Sequence, residues 1–198
     1  MSKMRMLKIP DSRFGHTIYV NQVIDSTQTK AFELARHGAE NGTAVVAKIQ
    51  QQGHGRESKV WVSEDGGLYF SIIYRPITSV PDAPTMTRII GGCIKRVIEK
   101  IVSKFMHIDI KTKGVNDLLL NNRKVIGILV ETETYVSEEQ KKQPDFFIIG
   151  IGVNVNQSHF PRHYESTATS LMLEIGKSFS RFRILKDICY ALGNILPN

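Results

Sequence analysis

Cysteine, tryptophan and long apolar runs are scarce in this chain, and each scarcity removes a class of protein. Of 198 residues, two are Cys and one is Trp. Cys93 and Cys189 stand far apart, in no metal-ligand or redox spacing. Both fall on apolar positions of helix-like segments and read as reduced core cysteines, which predicts a reducing, cytoplasmic setting. No run approaches the roughly 20 apolar residues of a membrane helix. The basic, Met-rich N-terminus lacks the apolar core of a signal peptide. No Ser/His/Asp set, HxxxH or CxxC is visible. That argues against hydrolase or metal chemistry and for positioning and electrostatics; no metal ligand is assigned.

What is present is ordinary in bulk: 41% hydrophobic and 23% charged residues, enough for a real core in one domain spanning 1–198. The net charge of +7 suits an anionic partner, but the basic residues are spread thinly. DNA binders usually cluster charge with aromatics, and a phosphate-bearing small molecule or an acidic protein partner explains the excess equally well.

Along the chain, Met1 to Gly15 shows no strong periodicity and reads as irregular and partly disordered. His16 to Ile24 is β-rich, and Asp25-Ser26 offers N-cap chemistry to a helix from Thr27 to Arg36. Strands follow at Thr43 to Ile49 and Leu68 to Tyr74, with a linker at Pro81 to Pro84. The strongest helical stripe is Ile89, Ile90, Cys93, Ile94, Val97, Ile98, Ile101 and Val102, and it reads as core packing. Ile108 to Lys111 is a short strand. A hairpin is expected around Asn121-Asn122, a surface excursion over Val136 to Pro144 and a strand from Asp145 to Val155. A loop from Asn156 to Ser170 precedes a closing helix near Arg181 to Leu196. Strands outnumber helices and mostly adjoin in sequence, so the expected class is α+β: a mixed, largely antiparallel sheet with helices packed on one side.

Four spots carry polar chemistry at strand ends, where sites are built. Asp25-Ser26-Thr27 opens a helix and, alone, reads as a plain N-cap. Gln50 to Trp61 holds two glycines, Arg56 and Lys59, groups that close on an anion. Lys113, Asn116 and Asp117 precede Lys124 to Glu131, where the strand-interior Gly127 lets a ligand approach the backbone. Gly150-Ile151-Gly152-Val153-Asn154-Val155-Asn156 is the fourth.

These four in order resemble the biotin–protein ligase catalytic domain, over about Tyr19 to Leu171. The family's Ser-Thr-Asn is matched by Ser26-Thr27-Gln28. Its Gln followed by Gly-Arg-Gly-Arg-Arg-Gly-Arg-x-Trp is matched by Gln50 and Gly53 through Trp61. Leu68 to Ile72 matches Leu-Tyr-x-Ser-Ile, and Lys113 through Asp117 matches Lys-Trp-Pro-Asn-Asp. Lys124, Gly127, Ile128, Leu129 and Glu131 match Lys-x-x-Gly-Ile-Leu-x-Glu without a change; Gly150 to Asn156 and Ala168 to Leu171 complete the pattern. The departures are Gln28 for Asn, His54, Glu57 and Ser58 in the loop, and Gly114-Val115 for Trp-Pro.

The resemblance implies a class II aminoacyl-tRNA-synthetase-like fold and a two-step reaction. Biotin is activated by MgATP as biotinyl-5′-adenylate and passed to a lysine of a carboxyl-carrier acceptor domain. It implies Lys124, Arg56 and Asp117 as catalytic, with Asp117 serving either Lys124 or the incoming lysine. Ser26, Thr27, Gln50, Gly53, Trp61, Gly127, Ile128 and Leu129 would bind biotin. His54, Gly55, Lys113, Asn116 and Asn154 would serve the nucleotide. ATP and Mg²⁺ are the implied co-reactants, the acceptor domain is the protein partner, and a homodimer is compatible with the pattern. DNA and membrane are not expected partners, nor are the helix-turn-helix and small C-terminal β domains that some family members carry. Two alternatives stay open: lipoate or octanoate chemistry on the same fold, and a non-catalytic biotin binder.

Overall fold

A computed structural model describes residues 5–105, 109–133 and 145–198 of the chain. Its strands are β1 (Arg5–Leu7), β2 (Ile18–Ile24), β3 (Ala44–Gln50), β4 (Leu68–Tyr74), β5 (Ile110–Lys113), β6 (Asp117–Leu120), β7 (Arg123–Glu133) and β8 (Phe146–Val153). The helices are α1 (Thr27–Arg36), α2 (Ala83–Val102), α3 (Leu171–Ile175) and α4 (Arg181–Ile195). The strands form one sheet in the order β1-β2-β3-β4-β8-β7-β6-β5. β2 and β3 pair in parallel and the other neighbours are antiparallel. A parallel pair needs a crossover, and α1 supplies it.

Local chemistry fixes the element ends. Ser26 caps α1 by accepting from the Gln28 and Thr29 amides, Asp82 caps α2 through the Thr85 amide, and Ser180 caps α4 through Arg183. Between β6 and β7, Asn121 and Asn122 both take positive φ (50° and 62°), the two-residue turn expected for that pair.

The two sheet faces are packed differently. Phe70, Ile72 and Tyr74 of β4 and Phe147, Ile149, Ile151 and Val153 of β8 join Ile90, Ile94 and Ile98 of α2 and Ile188 and Leu192 of α4 in the main core. Burying each such side chain contributes roughly 1.5–3 kcal/mol. A smaller cluster, Ala31, Ala35, Val45, Ile73, Phe146 and Ile148, seats α1 on the opposite face. The expectation of helices on one side therefore holds for α2 and α4 and is corrected for α1, because the crossover from β2 to β3 passes over the other face.

Four smaller expectations also change. The linker expected at Pro81 to Pro84 runs into α2: Asp82 is its N-cap, and Ala83 and Pro84 lie in its first turn, where the missing proline N–H costs nothing. Ile89 lies at the edge of the helical stripe, 40% exposed. Residues 5–15 are ordered: β1 pairs with β2, while Ile9 and Phe14 are buried, aperiodic anchors whose seat is made by distant elements. α3 also follows the loop after Asn156. Ile108 and the excursion at Val136 to Pro144 lie outside the described residues.

Candidate active site

On the α1 face, beyond the start of that helix, the sheet carries glycines instead of large side chains. Gly127 of β7 and Gly152 of β8 are register partners, and Gly150 pairs with Ser71 of β4. The Trp61 indole lies flat on the first pair. A Cβ at Gly152 would stand 2.5 Å from Trp61 Cε2, and one at Gly127 2.6 Å from Trp61 Cζ3. Only glycine admits that approach. The slot left beside the indole has a volume of about 50 Å³. Trp61 Nε1 is buried and has no hydrogen-bond partner among the described residues.

The slot floor is a chain of hydrogen bonds. Gln50 Oε1 accepts from the Thr27 amide (2.7 Å) and sits 3.0 Å from the Thr27 hydroxyl; Gln50 Nε2 donates to Ser63 Oγ (2.8 Å). Thr27 Oγ1 is 2.9 Å from Ser71 Oγ, which donates to Gln28 Oε1 (2.9 Å). Gln28 Nε2 donates to Glu131 and to the Ile148 carbonyl. Ser26 has its hydroxyl engaged as the α1 cap.

Lys124 stands at one end of this slot. Its Nζ is 2.8 Å from Asp117 Oδ1 and 4.9 Å from the Trp61 ring centre, and Asp117 also accepts from Asn116 Nδ2 (2.9 Å). The sequence left Asp117 open between Lys124 and an incoming lysine; the geometry pairs it with Lys124. The Lys124 backbone is strapped as well, its N–H on the Thr167 carbonyl and its carbonyl taking the Thr169 amide. The nearly buried Glu174 carboxylate pins that strap by accepting from Arg123, Asn121 and Thr169.

Beyond Lys124 and Trp61 a second cavity of about 270 Å³ opens, lined by Lys113, Asp117, Asn154, Phe160 and Tyr164 among others. Lys124 and Trp61 line both spaces. Asn154 is buried and held through Gln157, which donates to Asn154 Oδ1 and to the Tyr69 hydroxyl. Burial raises the Tyr69 phenol well above its ordinary range.

Most residues expected from the sequence converge here. Ser26, Thr27, Gln50, His54, Gly55, Trp61, Asn116, Lys124, Gly127, Ile128 and Leu129 line the slot. Ile128 does so by its backbone, since its side chain packs in the main core. Gly53 lines a space of about 550 Å³ under the loop, where a Cβ would meet the Trp61 carbonyl at 2.5 Å. Arg56 is not brought in: it is exposed on a single 3₁₀ turn, Arg56–Ser58, and lines none of the three spaces. Ser71, Ser63, Glu131, Phe160 and Tyr164 were missed as site residues. Strand alternation signals only Ser71, which faces away from its apolar neighbours Phe70 and Ile72.

The model of the biotin/lipoate A/B protein ligase family matches residues 20–154. The chain is 38% identical over 176 residues to the bifunctional ligase/repressor BirA of Bacillus subtilis, covering 87% of this chain and 51% of that one. It is 32% identical over 143 residues to BirA of Escherichia coli, covering 71% of this chain and 41% of the relative. The chain thus spans about half the length of the curated relatives it matches. Among solved structures it resembles the biotin protein ligase from Aquifex aeolicus in complex with biotin and ATP. The TM-score is 0.73 at 29% identity, covering 89% of this chain and 68% of the other.

Proposed function

The chain belongs to the biotin/lipoate A/B protein ligase family, and we propose that it activates biotin with ATP and transfers it to a lysine of a carboxyl-carrier acceptor domain. The observation that carries this reading is Lys124, held by Asp117, at the junction of the glycine-floored slot and the larger second cavity.

In this reading the slot takes the biotin rings and the second cavity takes the nucleotide, so carboxylate and α-phosphate meet at Lys124. The carboxylate oxygen attacks the α-phosphorus and pyrophosphate leaves, giving the acyl-adenylate. An acceptor ε-amine then attacks the acyl carbon and AMP departs. Lys124 balances the charge of the approaching anions, which is positioning and electrostatic catalysis. Phe160 and Tyr164 offer aromatic surface for a base, and Asn154 a polar edge. The slot of about 50 Å³ is bounded by the Trp61 indole, and in this reading the loop that carries Trp61 adjusts as the biotin rings enter. Arg56 would reach phosphate only after the same loop closes over the site.

The Mg²⁺ in this reading travels with the nucleotide, a hard cation bound through phosphate oxygens and water. Among the described residues no group of three or more His, Cys, Asp or Glu is arranged to hold a metal ion. The reaction would run in the cytoplasm; no helix of the described residues is long and apolar enough to cross a membrane.

The test is to mix the purified chain, MgATP and biotin with a carboxyl-carrier domain and follow the acceptor by intact mass. Parallel tubes replace biotin with lipoate or octanoate, or omit ATP. An ATP-dependent biotinyl mass increase is expected. A lipoyl or octanoyl adduct instead moves the substrate within the family. No adduct in any tube, with biotin still bound by calorimetry, leaves a non-catalytic binder.

A further inference from the structure

Gln28 stands where the family pattern has Asn, and its surroundings dictate which way its amide points. Nε2 lies 2.9 Å from Glu131 Oε2 and 3.2 Å from the Ile148 carbonyl, a carboxylate and a carbonyl that only accept. The NH₂ group must face them, which turns Oε1 to Ser71 Oγ at 2.9 Å. An amide oxygen cannot donate, so the single Ser71 proton goes to Gln28. Ser71 can then only accept from its other neighbour, Thr27 Oγ1, 2.9 Å away. Gln50 Oε1, 3.0 Å from Thr27 Oγ1, also only accepts. The one Thr27 proton is therefore claimed from both sides.

The far end of the chain is fixed in the same way. Gln50 Nε2 donates to Ser63, whose hydroxyl donates to the Trp61 carbonyl. The Gln28 amide also fits its place only because residue 150 is glycine: a Cβ there would sit 2.5 Å from Gln28 Oε1.

We infer that Gln28 is a specificity-determining positioning residue, which by consuming the Ser71 proton leaves the Thr27 and Ser71 hydroxyls with lone pairs but no protons to offer a ligand. The slot floor then selects a ring that presents N–H donors and rejects one that presents oxygen at the same place. This rests on the reading of the slot as the site of the biotin ureido ring, and it adds to that reading the residue that sets the polarity of the floor.

The test compares, by calorimetry on the full chain without nucleotide, biotin and its analogue with one ureido N–H replaced by oxygen. A site built around a donor rejects the analogue lacking it, so the unaltered chain is expected to prefer biotin by about 100-fold or more. Gln28→Met keeps the side-chain length and removes the amide, freeing the Ser71 proton to turn toward the ligand. The preference should then fall about tenfold or more, the size of one hydrogen bond gained by the analogue. Gln28→Asn, too short to span from Ser71 to Glu131, should lower it in the same direction and serves if the Met variant does not fold.

In a Ser71→Ala background, Gln28→Met should change the ratio no further, an outcome that generalised loosening of the pocket would not produce. An unchanged ratio in a folded Gln28 variant that still binds biotin overturns the inference and leaves the ligand reading intact. An unaltered chain that binds neither ligand overturns the ligand reading, and this inference with it.

Discussion

Strand β8 shows the two faces of the sheet side by side in eight residues. On the α2 and α4 side it presents Phe147, Ile149, Ile151 and Val153, all buried in the main core. On the other side it begins with Phe146 and Ile148 under α1 and then changes to Gly150 and Gly152 under Gln28 and Trp61. The same backbone thus serves two purposes. Large apolar residues fill one face against protein, and small residues on the other leave room for something that is not part of the chain. The first face is fixed by packing, where each methylene counts. The second is fixed by hydrogen-bond direction and by the charge of Lys124.

That contrast predicts that substitutions on the two faces separate chemistry from stability. The largest effect should come from Lys124→Ala. Pyrophosphate release with biotin and ATP should fall about 10³-fold, equivalent to about 4 kcal/mol of barrier. Its melting temperature should move little, because the Lys124–Asp117 pair is partly exposed and such pairs contribute about 1 kcal/mol or less. A melting temperature that collapses together with activity would erase the distinction between the faces.

On the packed face, Ile98→Ala should do the opposite. Ile98 is fully buried in α2, and the resulting cavity should cost about 3 kcal/mol in urea unfolding. Biotin affinity of the folded fraction should stay within about twofold, since α2 lies across the sheet from the slot and distant sites are nearly additive.

Gly152→Ala sharpens the comparison within the site face. Its φ is not positive, so an Ala is tolerated by the backbone, yet the new methyl would meet the indole at 2.5 Å. Biotin binding should weaken about tenfold, with a stability loss under about 1.5 kcal/mol, because the methyl overpacks a surface slot and not the core. Trp61 emission reports this directly: as the chain's one Trp, its spectrum in the ligand-free variant should differ from that of the unaltered protein.

The smallest effect concerns pH and belongs to the packed face. Burial pushes the Cys189 thiol from its ordinary 9.0 up to about 12. Above pH 9 the unfolded thiol releases its proton while the folded one keeps it. This contribution to stability is complete below pH 9 and is lost as pH rises toward 12. The urea midpoint should decline over that window, and Cys189→Ala should flatten part of the decline.

Much of this was legible in the chain because the controlling physics is local. Helix α1 was read from Ser26 and its ten following residues, β4 from the run Leu68 to Tyr74, and the β6–β7 turn from two asparagines that tolerate positive φ. The stripe of α2 follows from the helical repeat alone. Most of the residues expected at the site also converge, because motifs at strand ends come together when the strands pair. What was misread shares one cause. Ile9 and Phe14 have no periodicity to announce them, since what buries them lies far off in sequence: the Phe14 ring packs edge-on against Tyr74 of β4, 5.9 Å between ring centres. The face on which α1 lies depends on the crossover between β2 and β3, not on its own pattern.

The loop from Gln50 to Trp61 divides in the same way. Its glycines and basic residues marked it as part of a site, and Gly53, His54, Gly55 and Trp61 take their places there. Arg56 stays outside, exposed on its 3₁₀ turn, where the charged guanidinium keeps its hydration.

By itself, then, the sequence determined most of the elements, among them α1, α2, α4, β4 and the β6–β7 turn, and most of the residues that meet around Lys124, since spacing, capping and side-chain period are properties of neighbours along the chain. Only the tertiary structure decided which face α1 covers, that Asp117 pairs with Lys124, that Trp61 rests on Gly127 and Gly152, and which way the amide of Gln28 points. Each of these depends on groups brought together across the sheet, and a hydrogen bond or close contact has no direction until both of its partners are in place.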